Sequence, residues 1–176
     1  MSISLFKGAL TLGGARPHLF RVDLSFPTAQ PVAKGEMQFL IKATTLPGSR
    51  VEEFDVRYQG RSVRFAGERV YENWSITCIN NTTFGLRNAF EEWIELINGA
   101  QTGASTFAYQ EYQRDLQVTQ LYGGGADGGI PIKEYRFVNA FPVSISPIQL
   151  SYESGASIEE FDVEFTYDYF LSNTTT

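Results

Sequence analysis

A chain of 176 residues that is 43% apolar and 14% aromatic can form one domain with a proper core, and its 19% charged content excludes a disordered polyelectrolyte. A net charge of −6 and a pI near 4.8 exclude an overall basic footprint for nucleic acid, and one cysteine excludes an internal disulfide. No apolar run reaches a membrane span and no opening stretch reads as a signal peptide, so the expectation is a chain made in the cytoplasm without membrane insertion, whose NWS, NNT and NTT sequons stay unmodified.

In chain order, residues 1–14 read as a short arm in which Ile3, Leu5 and Phe6 can dock on a neighbour or fold back, with Gly13-Gly14 as a flexible break. Residues 15–171 read as one domain and residues 172–176 as a flexible tail. Residues 16–27 alternate, with Phe20, Val22, Leu24 and Phe26 on one face, which predicts a half-buried strand ended by Pro27. Residues 37–45 alternate as Met37, Phe39, Ile41 and Ala43 and predict a second strand, closed by the Leu46-Pro47-Gly48 turn. Residues 51–58 and 61–66 form a predicted hairpin around Gln59-Gly60, with Phe54, Val56 and Tyr58 on one face and Val63 and Phe65 alternating on the return. Gly67-Glu68 should loosen that ladder, and Trp74, Ile76 and Cys78 form the next inward row.

Asn80, Asn81, Thr82 and Thr83 offer helix N-caps. Leu86, Ala89, Phe90, Trp93, Ile94 and Ile97 follow at i, i+3, i+4, i+7, i+8 and i+11, one apolar stripe that Asn98-Gly99 ends. Its Leu86, Phe90, Trp93 and Ile97 are expected to pack this helix on a sheet. Residues 100–114 are polar and irregular, with Phe107, Tyr109 and Tyr112; residues 115–122 read as a strand, the GGGADGG run of residues 123–129 as a connection, and residues 132–146 as a long strand with an edge or bulge at Pro142. Residues 158–171 read as the last strand. Six to eight strands with short turns and one helix predict a mainly β (α+β) fold of two packed antiparallel sheets with one flanking α-helix.

The residues that would carry chemistry lack their context. Gly123, Gly125 and Gly128 spell GxGxxG, but a strand and not a helix follows, so no helix N-terminus can hold a pyrophosphate. His18 is the only histidine, and neither it nor Cys78 has an orienting third group. Glu52-Glu53 and Glu159-Glu160 are adjacent on strands and point to opposite faces, so they make no glycosidase pair. No catalytic, cofactor or metal residue is assigned.

Two features remain. The polar face of the last strand carries Glu160, Asp162, Glu164 and Asp168, a line of like charge that costs stability unless Arg57 or Lys133 lies beside it or water screens it. The hairpin mixes Arg50, Arg57, Arg61, Arg64 and Arg69 with Glu52, Glu53, Asp55 and Glu68; such a ribbon cannot stabilise itself, and a neighbouring subunit is its simplest support. The two are linked by an echo, VEEFDVRY at residues 51–58 returning as IEEFDVEF at residues 158–165.

The LPG turn at residues 46–48, YQGR at residues 58–61, AGER at residues 66–69, the W-x-I-T strand at residues 74–77 and the helix ending WIELIN at residues 93–98 resemble the tail tube proteins of contractile-tailed bacteriophages, the T4-type tail tube family. ARPHLFRVDLSFP near the N-terminus resembles that family's opening strand, and the likeness covers residues 15–100 well. It implies a structural virion protein without catalytic residues, in six-membered rings stacked into a tube inside a contractile sheath, with one sheet of each subunit completing a ring-wide β-barrel. The implied partners are further copies of the chain, the sheath protein, and the baseplate and tail terminator proteins; DNA passes through the lumen without specific binding. Glu160, Asp162, Glu164 and Asp168 are then expected to face the lumen of a ring that carries −36 for six copies at −6 each, and Arg57, Gln59, Gly60, Arg61 and Arg64 to lie in an inter-ring hairpin whose deletion spares folding and abolishes stacking. Two other readings are the tube of a phage-derived particle (an R-type pyocin, a type VI secretion system or an extracellular injection system) and a β-sandwich carbohydrate-binding module with Tyr109, Tyr112 and Tyr122 as its platform.

Overall fold

A computed structural model describes residues 2–10, 13–28, 34–100, 103, 105–106, 108–123, 129–153, 155 and 157–175. These residues form strands β1 (Phe20–Asp23), β2 (Ile41–Thr44), β3 (Ser49–Tyr58), β4 (Arg61–Tyr71), β5 (Trp74–Ile79), β6 (Arg114–Tyr122), β7 (Ile130–Ile145), β8 (Glu160–Thr166) and β9 (Tyr169–Ser172). Helix α3 (Gly85–Ile97) is the long one; α1 (Ile3–Ala9), α2 (Lys34–Leu40) and α4 (Tyr109–Tyr112) are short additions to the single helix expected. All pairing is antiparallel, in the order β1-β6-β7-β8-β5-β2, with β9 also on β7 and the pair β3–β4 apart.

The sixteen-residue β7 joins two sheets. Its first part pairs with β6 and β9, and its last residues pair with β8. Two irregularities bend it. Asn139 adopts φ 57°, which asparagine tolerates, and the carboxylate of Asp115 accepts from the Asn139 N–H at 3.2 Å while pairing with Arg136. The register then shifts between Pro142 and Ser144, as expected for a proline in a ladder. The long strand thereby leaves one sheet and enters the other, and their inner faces close on one core. From β1 come Val22 and, just beyond its end, Leu24 and Phe26; from β5, Trp74, Ile76 and Cys78; from β6, Leu116 and Val118; from β8, Phe161, Val163 and Phe165.

Helix α3 buries Leu86, Ala89, Phe90 and Trp93, with Ile97 partly covered, as its stripe predicts. Phe90 lies 5.1 Å from Phe26 and 5.8 Å from Phe165, and the Trp93 indole donates to the Tyr112 carbonyl at 2.7 Å. The helix ends differ from the expected caps. Phe84 precedes the helix in a left-handed conformation with no side-chain cap, and Thr83 Oγ1 bonds Asn81 Oδ1 instead of a helix N–H. Asn98 ends the helix in an extended conformation, bridged to Ser105.

Several strand assignments change: the first strand is only Phe20–Asp23, and the hairpin return runs past Gly67-Glu68 to Tyr71. Residues 34–40 are helical because Met37, Leu40 and Ile41 also fit i, i+3, i+4; Met37 and Ile41 are buried, and the strand proper is only Ile41–Thr44. The last strand is broken at Tyr167-Asp168, although its pairing with β7 continues in register from Phe141↔Thr166 to Val138↔Tyr169. Ser172, expected to open a flexible tail, belongs to β9, is buried, and hydrogen-bonds Thr174 and Thr175, while Lys133 Nζ donates to Thr174 Oγ1 at 2.7 Å. Residues 123 and 129 flank a β6–β7 hairpin, so Gly123 opens no nucleotide loop; Gly125 and Gly128 lie outside the described residues, as does Phe107.

Candidate functional site

The sheet of β2, β5, β8 and the end of β7 turns its apolar side to the core, which leaves an outer face of carboxylates and hydroxyls. Glu160, Asp162 and Glu164 alternate along β8 with buried Phe161, Val163 and Phe165. Two of the three have short cross-strand neighbours: Asp162 faces Thr77, and Glu164 faces Ser75 on one side and Ser144 on the other, while Glu160 faces Ile79. Thr77 Oγ1 donates to Asp162 at 2.7 Å, and Asn73 Nδ2 donates to Glu164 at 3.1 Å. Lys42 grips Glu160 through both oxygens, at 2.6 and 2.7 Å. Both groups of that pair are more than a third exposed, so it contributes about 0–1 kcal/mol and leaves the face acidic.

This differs from the expected row in two respects. Asp168 is out of line, in the break between β8 and β9, where it accepts from Asn139 Nδ2 at 2.6 Å. Neither Arg57 nor Lys133 neutralises the row: Arg57 lies on β3, which does not pair with β8, and Lys133 bonds Ser172 and Thr174. The basic residue that does so is Lys42. Sequence alone missed it, since it sits in a register irregularity of β2 opposite β5.

The second surface is the β3–β4 hairpin. Gln59 (φ 49°) and Gly60 (φ 78°) make the two-residue turn with both φ positive, the type that matches strand twist. Arg61 lies opposite Tyr58 at this turn, and Arg57 and Arg64 lie on the other face of the ribbon. Apart from half-buried Tyr71, every residue of both strands is exposed. The pairing puts Phe54 opposite Phe65 and Val56 opposite Val63, with the two phenyl rings stacked at 5.7 Å. The other face holds Glu53, Asp55, Arg57, Ser62, Arg64 and Ala66, with Arg64 3.6 Å from both Glu53 and Asp55. The ribbon thus has one apolar and one charged face, and neither is covered by the described residues. Sequence reading weighted the arginines; the cross-strand meeting of Phe54 with Phe65 and Val56 with Val63 is the stronger docking feature, and only the register reveals it. Helix α1 adds a second uncovered apolar patch in Ile3, Leu5 and Phe6.

Other candidates separate. Cys78 is buried beneath β8, and burial, with the Asp162 charge adding to it, pushes its thiol up to about 12. The thiolate is the reactive form, so Cys78 should stay unlabelled by Ellman's reagent at pH 8 and react within minutes in denaturant; fast labelling of the native chain would contradict this burial. His18 is exposed just before β1. Tyr112 packs edge-on against Phe141, and Tyr122 ends the nine-residue β6 that begins just past Tyr112, about 25–30 Å of strand away. Tyr109, Tyr112 and Tyr122 therefore form no common platform.

The phage tail tube protein family matches residues 15–173. Over 155 residues the chain is 28% identical to the tail tube protein gp19 of Enterobacteria phage T4, covering 88% of this chain and 90% of that one. Over 170 residues it is 28% identical to the tail tube protein of Serratia phage KSP90, with 94% of each covered. Its fold resembles a chain of the anti-feeding prophage cap (TM-score 0.65, 16% identity, 90% of each chain covered) and one of the sheath–tube complex of an extracellular contractile injection system, PVC (TM-score 0.53, 12% identity, 98% of each). The family match extends from five residues before β1 to the residue after β9, so all nine strands and α3 lie inside it, and the chain belongs to the phage tail tube protein family, as a structural component of the virion tail.

Proposed function

We propose that this chain is the repeating subunit of the inner tube of a contractile phage tail, that six copies close into a ring, and that stacked rings form the conduit for DNA. The observation that carries this reading is the hairpin: two strands of ten and eleven residues with an apolar face that none of the described residues covers. An isolated two-stranded ribbon is marginal in water, so such a face belongs against a further copy. A head-to-tail contact of this kind propagates into a filament, whereas closure around a ring removes the sheet edges that β1 and β2 present. Sheath, baseplate and terminator are the further partners of this reading, and no step in it needs catalysis.

The acidic face of β8 fits the wall of the channel. Glu160, Asp162 and Glu164 give phosphate no favourable contact, so DNA slides past. Asp168, bonded at the corner, contributes less. Sequence relatives favour a phage tail over a phage-derived injection particle, since the likeness to injection systems is one of fold at 12–16% identity.

Negative-stain microscopy of the purified chain, alone and with tail extract, should show hollow tubes with six-fold end views. A monomer that persists in tail extract would remove the tube reading. Reversing the row (Glu160→Lys, Asp162→Lys and Glu164→Lys) should leave tubes intact and slow genome exit; unchanged ejection kinetics would remove the acidic wall from the mechanism.

A further inference from the structure

Resting on the tube reading, we propose that the charged face of the β3–β4 hairpin is itself channel wall: in the assembled tube it fronts the lumen beside the acidic row of a neighbouring copy, with its apolar face turned outward against that copy. Three observations converge on this.

The first is where the hairpin grows. The β2–β5 ladder ends at Thr44↔Ile76, and the β3–β4 ladder begins at Ser49↔Tyr71. The hairpin is therefore a separate two-stranded ribbon that follows in sequence from the β2–β5 end of the sheet whose outer face holds the acidic row, and ten residues carry it about 30 Å along the strand direction. Its register shifts where Gly67 and Glu68 face Glu52, a bulge that increases local twist and re-aims the distal half of the ribbon. Gly67 suits that spot, since a Cβ there would sit 3.1 Å from the Glu52 carbonyl oxygen.

The second is the echo. EEFDV occurs at residues 52–56 in β3 and at residues 159–163 running into β8. In β8, Phe161 and Val163 rest on the core, while Glu160 and Asp162 point away from it. In β3, Phe54 and Val56 share one face and Glu53 and Asp55 the other. On the charged face, Asp162 and Glu164 lie opposite Thr77 and Ser75 of β5, while Glu53, Asp55 and Arg57 lie opposite Ala66, Arg64 and Ser62 of β4. A strand with this pattern is built for apolar support behind and open water in front. β8 has the support within its own chain; β3 must find it on a second copy.

The third is charge. The hairpin carries five arginines and four carboxylates, whereas the rest of the chain carries nine basic residues and sixteen acidic ones. In its own subunit the β8 row has Lys42 as its basic partner. Arg57 and Arg64 of a neighbouring hairpin bring opposite charge beside those in-line carboxylates, a small gain next to the apolar contact that holds the copies together.

The test labels single cysteines in tubes, with unreactive Cys78 as a silent background. Asp55→Cys reports the charged hairpin face, Asp162→Cys the acidic row, and Glu92→Cys the exposed side of α3. Each is treated with N-ethylmaleimide and with a maleimide on a long poly(ethylene glycol) chain, before and after assembly. In free subunits all three should react with both reagents. In tubes, Asp55→Cys should keep its reaction with the small reagent and lose that with the bulky one, which cannot enter the channel. Labelling of Asp55→Cys tubes by the bulky reagent places this face outside and overturns the proposal. Labelling by neither reagent places it in a sealed contact and overturns it equally. Ser62→Cys, on the same face opposite Arg57, replaces Asp55→Cys if that variant does not assemble. Bulky-reagent labelling of Asp162→Cys with Asp55→Cys protected would remove the acidic-row assignment and leave this one standing; a wild-type chain that never forms tubes removes both.

Discussion

Trp74→Ala is expected to cost the unassembled subunit about 3–5 kcal/mol. Trp74 is 1% exposed and stacks on Phe137 at 4.3 Å, which ties β5 to the long strand shared by both sheets. Its ring lies 5.4 Å from Phe165, and its indole N–H donates to the Thr45 carbonyl at 2.8 Å, holding the link between β2 and the hairpin. Truncation removes the ring, leaves a cavity at the junction of three strands and strips that carbonyl of its main donor. A domain of this size has about 5–15 kcal/mol to lose, so the variant stands near the edge of folding. The urea midpoint of the subunit, read with an unchanged m value, measures the effect. Trp74→Phe keeps most of the packing and should lose less; a loss under about 1 kcal/mol for Trp74→Ala would show that Trp74 does not hold the sheets together.

The opposite behaviour is expected at the hairpin. Phe54→Asp combined with Phe65→Asp should shift subunit stability by no more than about 1 kcal/mol, the scale of one cross-strand pair, and abolish tube formation. The two rings touch each other and are 54% and 49% exposed, so the folded core loses nothing when they go. Assembly loses the centre of an apolar contact and gains two carboxylates that must be desolvated there. Arg57→Ser with Arg64→Ser, on the other face, should still assemble. Denaturant melts and electron micrographs of the same preparations separate the two effects. Tubes of normal length from the double aspartate variant would show that the apolar face is not the stacking surface.

These two sites also mark how far the residues alone could be read. Period-two alternation depends only on a strand's own side chains, which is why the inward rows of β1, β5 and β8, the α3 stripe and the Gln59-Gly60 turn were legible in advance. Pairing partners are not local. Lys42 rather than Arg57 meets Glu160 because β2, and not the hairpin, shares a sheet with β8. Residues 37–40 alternate like a strand, yet i, i+3, i+4 burial of Met37, Leu40 and Ile41 favours a helix once β1 and β2 lie beside it. Asp168 leaves the acidic row because the chain breaks after Thr166 to follow the bend of β7, a bend set by Asn139 and Pro142 on another strand. The sequence by itself determined which face of each element is apolar, since that is a property of spacing; only the tertiary structure decided which of those faces are covered and which stay exposed, because that depends on the register and bends of strands far apart in sequence.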